Sequence, residues 1–108
     1  MHMRAWQQSL KEARQAAKML LGRNAGVSMA EHNSGIYRGV IIAHTRDYIV
    51  QQIGRQAAAV IHPKERFGEH EAGFPWPEVG RNFSIQYAHS LAVAREIRER
   101  ALEYGRSR

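Results

Sequence analysis

Between Ile36 and His62 the chain carries three runs of β-branched and aromatic residues separated by short polar turns. No other feature constrains the fold as much. Ile36-Tyr37-Arg38-Gly39-Val40-Ile41-Ile42-Ala43-His44 is followed, after Thr45-Arg46-Asp47, by Tyr48-Ile49-Val50-Gln51-Gln52-Ile53. Gly54-Arg55 then leads to Ala57-Ala58-Ala59-Val60-Ile61-His62. Such residues fit a pleated surface, and Gly54 suits a turn that needs a positive φ. Pro63 has no backbone donor, so the third run ends there. Connections this short join antiparallel neighbours. The pattern predicts a meander that must curl, or dock a helix, to cover its apolar face.

The segment before it has a different period. Trp6, Leu10, Ala13, Ala17 and Leu20 recur at spacings of 4, 3, 4 and 3, which predicts an amphipathic helix over about Arg4–Leu21 with Trp6 as a core anchor. Gly22 stands where the helix would end. Within residues 1–23 five basic side chains face one carboxylate, Glu12. Four of them, Arg4, Lys11, Arg14 and Lys18, fall within about 80° of one another on a helical wheel. That row suits a polyanion or an acidic protein surface, and a merely solvated helix face is the plain alternative.

After Pro63 the chain is polar and broken by Gly68, Gly73, Pro75, Pro77 and Gly80. Phe74-Pro75-Trp76-Pro77 reads as a plug at the end of a small barrel, with a partner-binding wedge built on Phe74 and Trp76 as the alternative. Asn82-Phe83-Ser84-Ile85-Gln86-Tyr87 alternates as a strand. Val93, Ile97, Ala101 and Tyr104 then recur at 4, 4 and 3, which predicts a C-terminal helix over 90–105. The expected architecture is one α+β domain over 1–108. A small, strongly bent antiparallel sheet of four to five strands, SH3-like or an open barrel, lies between an N-terminal and a C-terminal helix.

Several of these residues resemble the KfrB domain family. They are Tyr48-Ile49-Val50-Gln51-Gln52-Ile53-Gly54-Arg55, Ala59-Val60-Ile61-His62, Pro77-Glu78-Val79-Gly80 and Phe83-Ser84-Ile85-Gln86-Tyr87. The family pattern is a strand ending V-Q-x-x-G, a strand ending V-I-H, then P-x-x-G and a strand like V-x-I-x-Y. The resemblance runs from about Tyr37 to Tyr87 within a module spanning 36–89. It implies a protein of conjugative plasmids or related mobile elements and no defined catalytic role. Two departures stand out: a longer loop over Glu65–Trp76, and a helical C-terminus where the family has a short final strand. By their own chemistry the matched residues read as structural. Gln51 and Gln52 point to opposite faces of their strand, so one must turn outward or find buried partners. His62 is expected to bond a loop carbonyl.

Composition narrows the chemistry. The 108 residues include 16 Lys+Arg against 10 Asp+Glu and no Cys, which excludes thiol nucleophiles, disulfides and cysteine-zinc sites. Asp47 is the only aspartate, and the histidines show no ligand spacing, so neither a catalytic residue, a metal nor a cofactor is expected. No apolar run spans a bilayer and no signal-peptide core is present, which leads to an expectation of a cytoplasmic protein. The expected function is non-enzymatic binding. Nucleic acid, gripped without sequence preference and in a salt-sensitive way, leads as the partner through Arg4, Lys11, Arg14, Lys18, Arg55 and Tyr48. The alternatives are an inhibitor or adaptor held to an acidic surface of a host defence complex, as anti-CRISPR proteins are, or a homodimer formed through the C-terminal helix.

Overall fold

The computed structural model describes residues 3–67 and 76–97. In chain order the elements are α1 (Ala5–Leu21), β1 (Gly26–Met29), β2 (Ser34–His44), β3 (Tyr48–Gln52), β4 (Ala58–Pro63), a 3-10 turn (Lys64–Phe67), β5 (Asn82–Ala88) and β6 (Leu91–Glu96). The strands form one six-stranded sheet ordered β1-β4-β3-β2-β5-β6. β1 runs parallel to β4, and every other neighbouring pair is antiparallel.

The sheet folds over on itself through β2. Its first half, Ser34–Val40, pairs with β5. Its second half pairs with β3, with a register shift between Ile41 and Ala43. A bulge of this kind bends a strand, so one strand serves two differently oriented halves of the sheet. Gly39 lies beside the bend. A Cβ there would overlap the Gln52 backbone carbonyl, so the close approach of β2 to the end of β3 requires glycine.

β3 and β4 are covered on both faces, which is why they read as nearly continuous apolar runs. Tyr48, Val50, Ala59 and Ile61 pack beneath Ala13 and Ala17 of α1. Ile49 and Val60 face the other way, into an inner core with Ile41, Ile85, Tyr87 and Ala92. The small alanines let α1 lie close to the sheet. Buried Ser9 fastens its N-terminal part, since its Oγ accepts from the Asp47 backbone N–H at 2.8 Å and lies 2.7 Å from Thr45 Oγ1.

Several expectations are overturned. β2, β3 and β4 do form an antiparallel run, but the sheet has six strands and is mixed rather than an antiparallel SH3-like or open barrel of four to five. There is one helix among the described residues, and Leu91–Glu96 is a strand where a C-terminal helix was expected. The rest of the helix expected over 90–105 lies, from residue 98 on, outside the described residues. The physical reason is periodicity: a spacing of four puts residues on one face of a strand as readily as of a helix. The strand is joined to β5 by a two-residue turn with His89 and Ser90 both at positive φ, 52° and 68°. Two such residues give the twist of a tight hairpin, but His-Ser lacks the Asn-Gly signature that announces one.

Candidate functional site

The polar residues of the matched strands converge inside the molecule. Gln51 and His62 are fully buried and Tyr87 nearly so. The two N–H groups of the Gln51 Nε2 amide are shared among the backbone carbonyls of Tyr37 (3.2 Å), Gly39 (3.1 Å) and Phe83 (2.9 Å). Those acceptors fix the amide's orientation, so its Oε1 accepts from His62 Nε2–H at 2.8 Å. Burial holds His62 neutral, with its pKa lowered from 6.5 to about 3. Its Nδ1 is therefore an acceptor, and the Tyr87 hydroxyl donates to it at 2.7 Å. Burial also raises the Tyr87 phenol above its ordinary value, with Tyr37 adding to the rise. The expected bond from His62 to a loop carbonyl is thus replaced by a side-chain relay from the β2–β5 seam to Tyr87. Gln52, on the other face, bonds the Gln56 carbonyl at 2.9 Å. Tyr87 stacks between His62 and His32, with ring centroids 5.7 and 6.0 Å away. A histidine and a tyrosine hydrogen-bonded together can exchange protons with a substrate only where one can reach them. Here both are sealed in the core, so the relay organises strands.

The accessible chemistry lies on α1. Arg4, at the helix N-cap, is exposed, as are Lys11, Arg14 and Lys18. Arg4, Lys11 and Lys18 project from the side turned away from the packed residues Ser9, Ala13 and Ala17, and Arg14 from the flank between that side and Trp6. Lys18 also closes the helix end, its Nζ donating to the carbonyls of Arg23 and Ala25 at 3.2 Å each. No member of the row is ion-paired among the described residues. Arg55 is exposed in the β3–β4 turn. Tyr48 does not belong to the surface: it is 8% exposed beneath α1, and burial raises its phenol pKa. The structure therefore brings together Arg4, Lys11, Arg14 and Lys18 and removes Tyr48 from the candidate site.

Trp6 departs furthest from its expected place. It shares its side of α1 with Ala13 and Ala17 but stands a turn before Ser9, where little sheet lies beneath the helix, and it is 46% exposed. It separates two depressions. One, of about 440 Å³, is bounded by Trp6, Asp47, Tyr48, Pro63, Lys64 and Glu65. The other, of about 390 Å³, runs along Trp6, Leu10, Lys11 and Arg14. Periodicity could place Trp6 on the packed face but not show where the sheet beneath it ends.

Trp76 packs against the inner core, edge-on to Phe67 at 5.7 Å and with Lys64 Nζ 5.5 Å from its ring. Phe74 lies outside the described residues. No group of three or more metal-ligating side chains occurs among the described residues, and no helix there is long and apolar enough to cross a membrane.

A curled mixed sheet, a helix laid across one face and a sealed polar relay define a small α+β module whose charged chemistry lies outside its core. The chain belongs to the KfrB domain family: the family model, described as the KfrB domain, matches residues 36–96. That span runs from β2 through β6, so the last strand is part of the family's fold and the expected helical departure is withdrawn. Membership ties the chain to plasmid-associated proteins. No curated protein and no solved structure matches it at a significant level.

Proposed function

We propose that this chain is a non-catalytic binding module of a plasmid or other mobile element, acting in the cytoplasm by gripping nucleic-acid phosphates along the outer side of α1. The observation that carries this reading is the row Arg4, Lys11 and Arg14, exposed, unpaired among the described residues and accompanied by exposed Trp6. Guanidinium and ammonium groups at helical spacing suit a phosphate backbone, and an aromatic face beside them suits an unpaired base. A row about 20 Å long carries no base-reading pattern, so binding is weak, salt-sensitive and indifferent to sequence.

The test is a mobility shift with single- and double-stranded oligonucleotides at about 50 mM salt. Lys11→Glu with Arg14→Glu is expected to abolish binding while leaving the fold intact, since neither side chain is buried. Absence of binding to any DNA or RNA in that buffer overturns the reading.

The exposed Trp6 between two depressions also supports a second reading, a protein adaptor or anti-CRISPR-like inhibitor, because tryptophan beside arginine is a common interface anchor. A host complex that survives nuclease and is lost in Trp6→Ala favours it. Partners that all disappear with nuclease exclude it.

A further inference from the structure

The sheet has a second outer face that nothing in the described structure covers. In β2, β5 and β6 the odd residues of the first two strands and the even residues of the third turn inward, among them buried Ile85, Tyr87 and Ala92. The alternate residues form three cross-strand rows. Ser34, Ala88 and Leu91 make the first, Ile36, Gln86 and Val93 the second, and Arg38, Ser84 and Arg95 the third. Ile36 on β2 and Leu91 and Val93 on β6, two strands apart across β5, are 50%, 54% and 56% exposed, a high value for apolar side chains on one face of a sheet. A depression of about 360 Å³ lies along β5 and β6, bounded by Ser84, Gln86, Leu91, Val93 and Arg95.

Charge indicates what would fit there. Arg38 and Arg95 flank Ser84 in one row, roughly 10 Å apart across two strand spacings. None of the three rows contains a carboxylate, and neither arginine is ion-paired among the described residues. Two acids of the described residues are used elsewhere: Glu78 and Glu96 both engage Arg81, at 3.3 and 2.8 Å. A second copy set face to face on these rows would gather four guanidinium groups without counter-charge. A nucleic acid would meet aliphatic side chains and no aromatic ring to stack on. We propose that this face docks an acidic amphipathic segment of a protein partner, its apolar side chains seated on Ile36, Leu91 and Val93 and its carboxylates on Arg38 and Arg95.

The test is an NMR titration of the full chain with a helical peptide of about 18 residues, leucines on one face and glutamates on its flanks, beside a counterpart with lysines in place of the glutamates. The glutamate peptide is expected to bind about tenfold more tightly and to shift the resonances of Ile36, Gln86, Leu91 and Val93. Val93→Asp and Arg95→Glu are each expected to weaken it by about tenfold, both at exposed positions, while Lys11→Glu with Arg14→Glu leaves it unchanged. Equal affinity for the two peptides, shifts centred on α1, or no binding overturns the proposal. A dimer in light scattering that Val93→Asp dissolves also overturns it by assigning the face to a second copy. Binding that appears only after residues 98–108 are removed assigns the face to the chain's own terminus.

Discussion

The two faces of β3 and β4 are built on opposite plans. Toward α1 the contact is made by Val50, Ala59 and Ile61 against Ala13 and Ala17, a dry surface whose main requirement is small volume. Toward the inner core the same strands send Gln51 and His62 into a relay in which every side-chain polar atom has at least one partner of the right kind. Apolar packing tolerates many arrangements of similar volume, whereas a buried hydrogen-bonded chain accepts only one register. The helix face supplies adhesion, and the inner face specifies which strand segments meet.

That contrast is testable, and the largest effect is expected on the inner face. Gln51→Leu keeps the volume but strips the donors from three backbone carbonyls and the acceptor from His62. It is expected to cost about 3–5 kcal/mol in chemical denaturation, and a loss under about 1 kcal/mol would make the relay dispensable. Acid should act through the same chain. Below 6.5 the unfolded chain protonates His62, while the folded chain holds it neutral down to about 3. Stability from this group is therefore full above pH 6.5 and falls as the pH drops, by about 1.4 kcal/mol per unit, or about 2 kcal/mol by pH 5. His62→Asn should lose that slope. His44, also lowered chiefly by burial, contributes to both proteins alike. Parallel curves for the two would refute the assignment.

On the helix face Ala17→Leu overfills a fully buried site and is expected to cost about 2 kcal/mol by lifting α1, with the inner-core aromatic resonances unmoved. Spread of its effect to Tyr87 would show that the two faces are not separable. The smallest effect is expected at the β5–β6 turn, where two non-glycine residues hold positive φ. His89→Asn with Ser90→Gly should stabilise by about 0.5–1 kcal/mol, a rise of a few degrees in Tm.

What the sequence disclosed follows the same division. Runs buried on both faces, such as Tyr48–Gln52, are dense in β-branched residues, so their strands were legible and so was the need for Gln51 or Gln52 to find buried partners. β1 was not: Gly26-Val27-Ser28-Met29 offers only two apolar residues in four positions, too short an alternation to announce a strand, and owes its strand form to the edge of β4 beside it. The relay was hidden as well, because the partners of His62 come from β3 and β5 and local spacing says nothing about which side chains meet across a fold. The row on α1 could be read because helical spacing is local. The rows of β2, β5 and β6 needed the strand register. Arg38 and Arg95 are 57 positions apart in the chain and become neighbours only through β5.

The parallel strand β1 has one more consequence. It precedes the residues that match the family, yet it occupies the outer edge of β4 from Ala58 to Ile61. A chain carrying residues 36–96 alone would present that edge as an open row of amide and carbonyl groups, a socket for whatever extended segment came near. In this protein the preceding segment fills the socket with its own strand. The module therefore arrives already plugged, closed to strand exchange along that border and free to meet other molecules elsewhere on its surface.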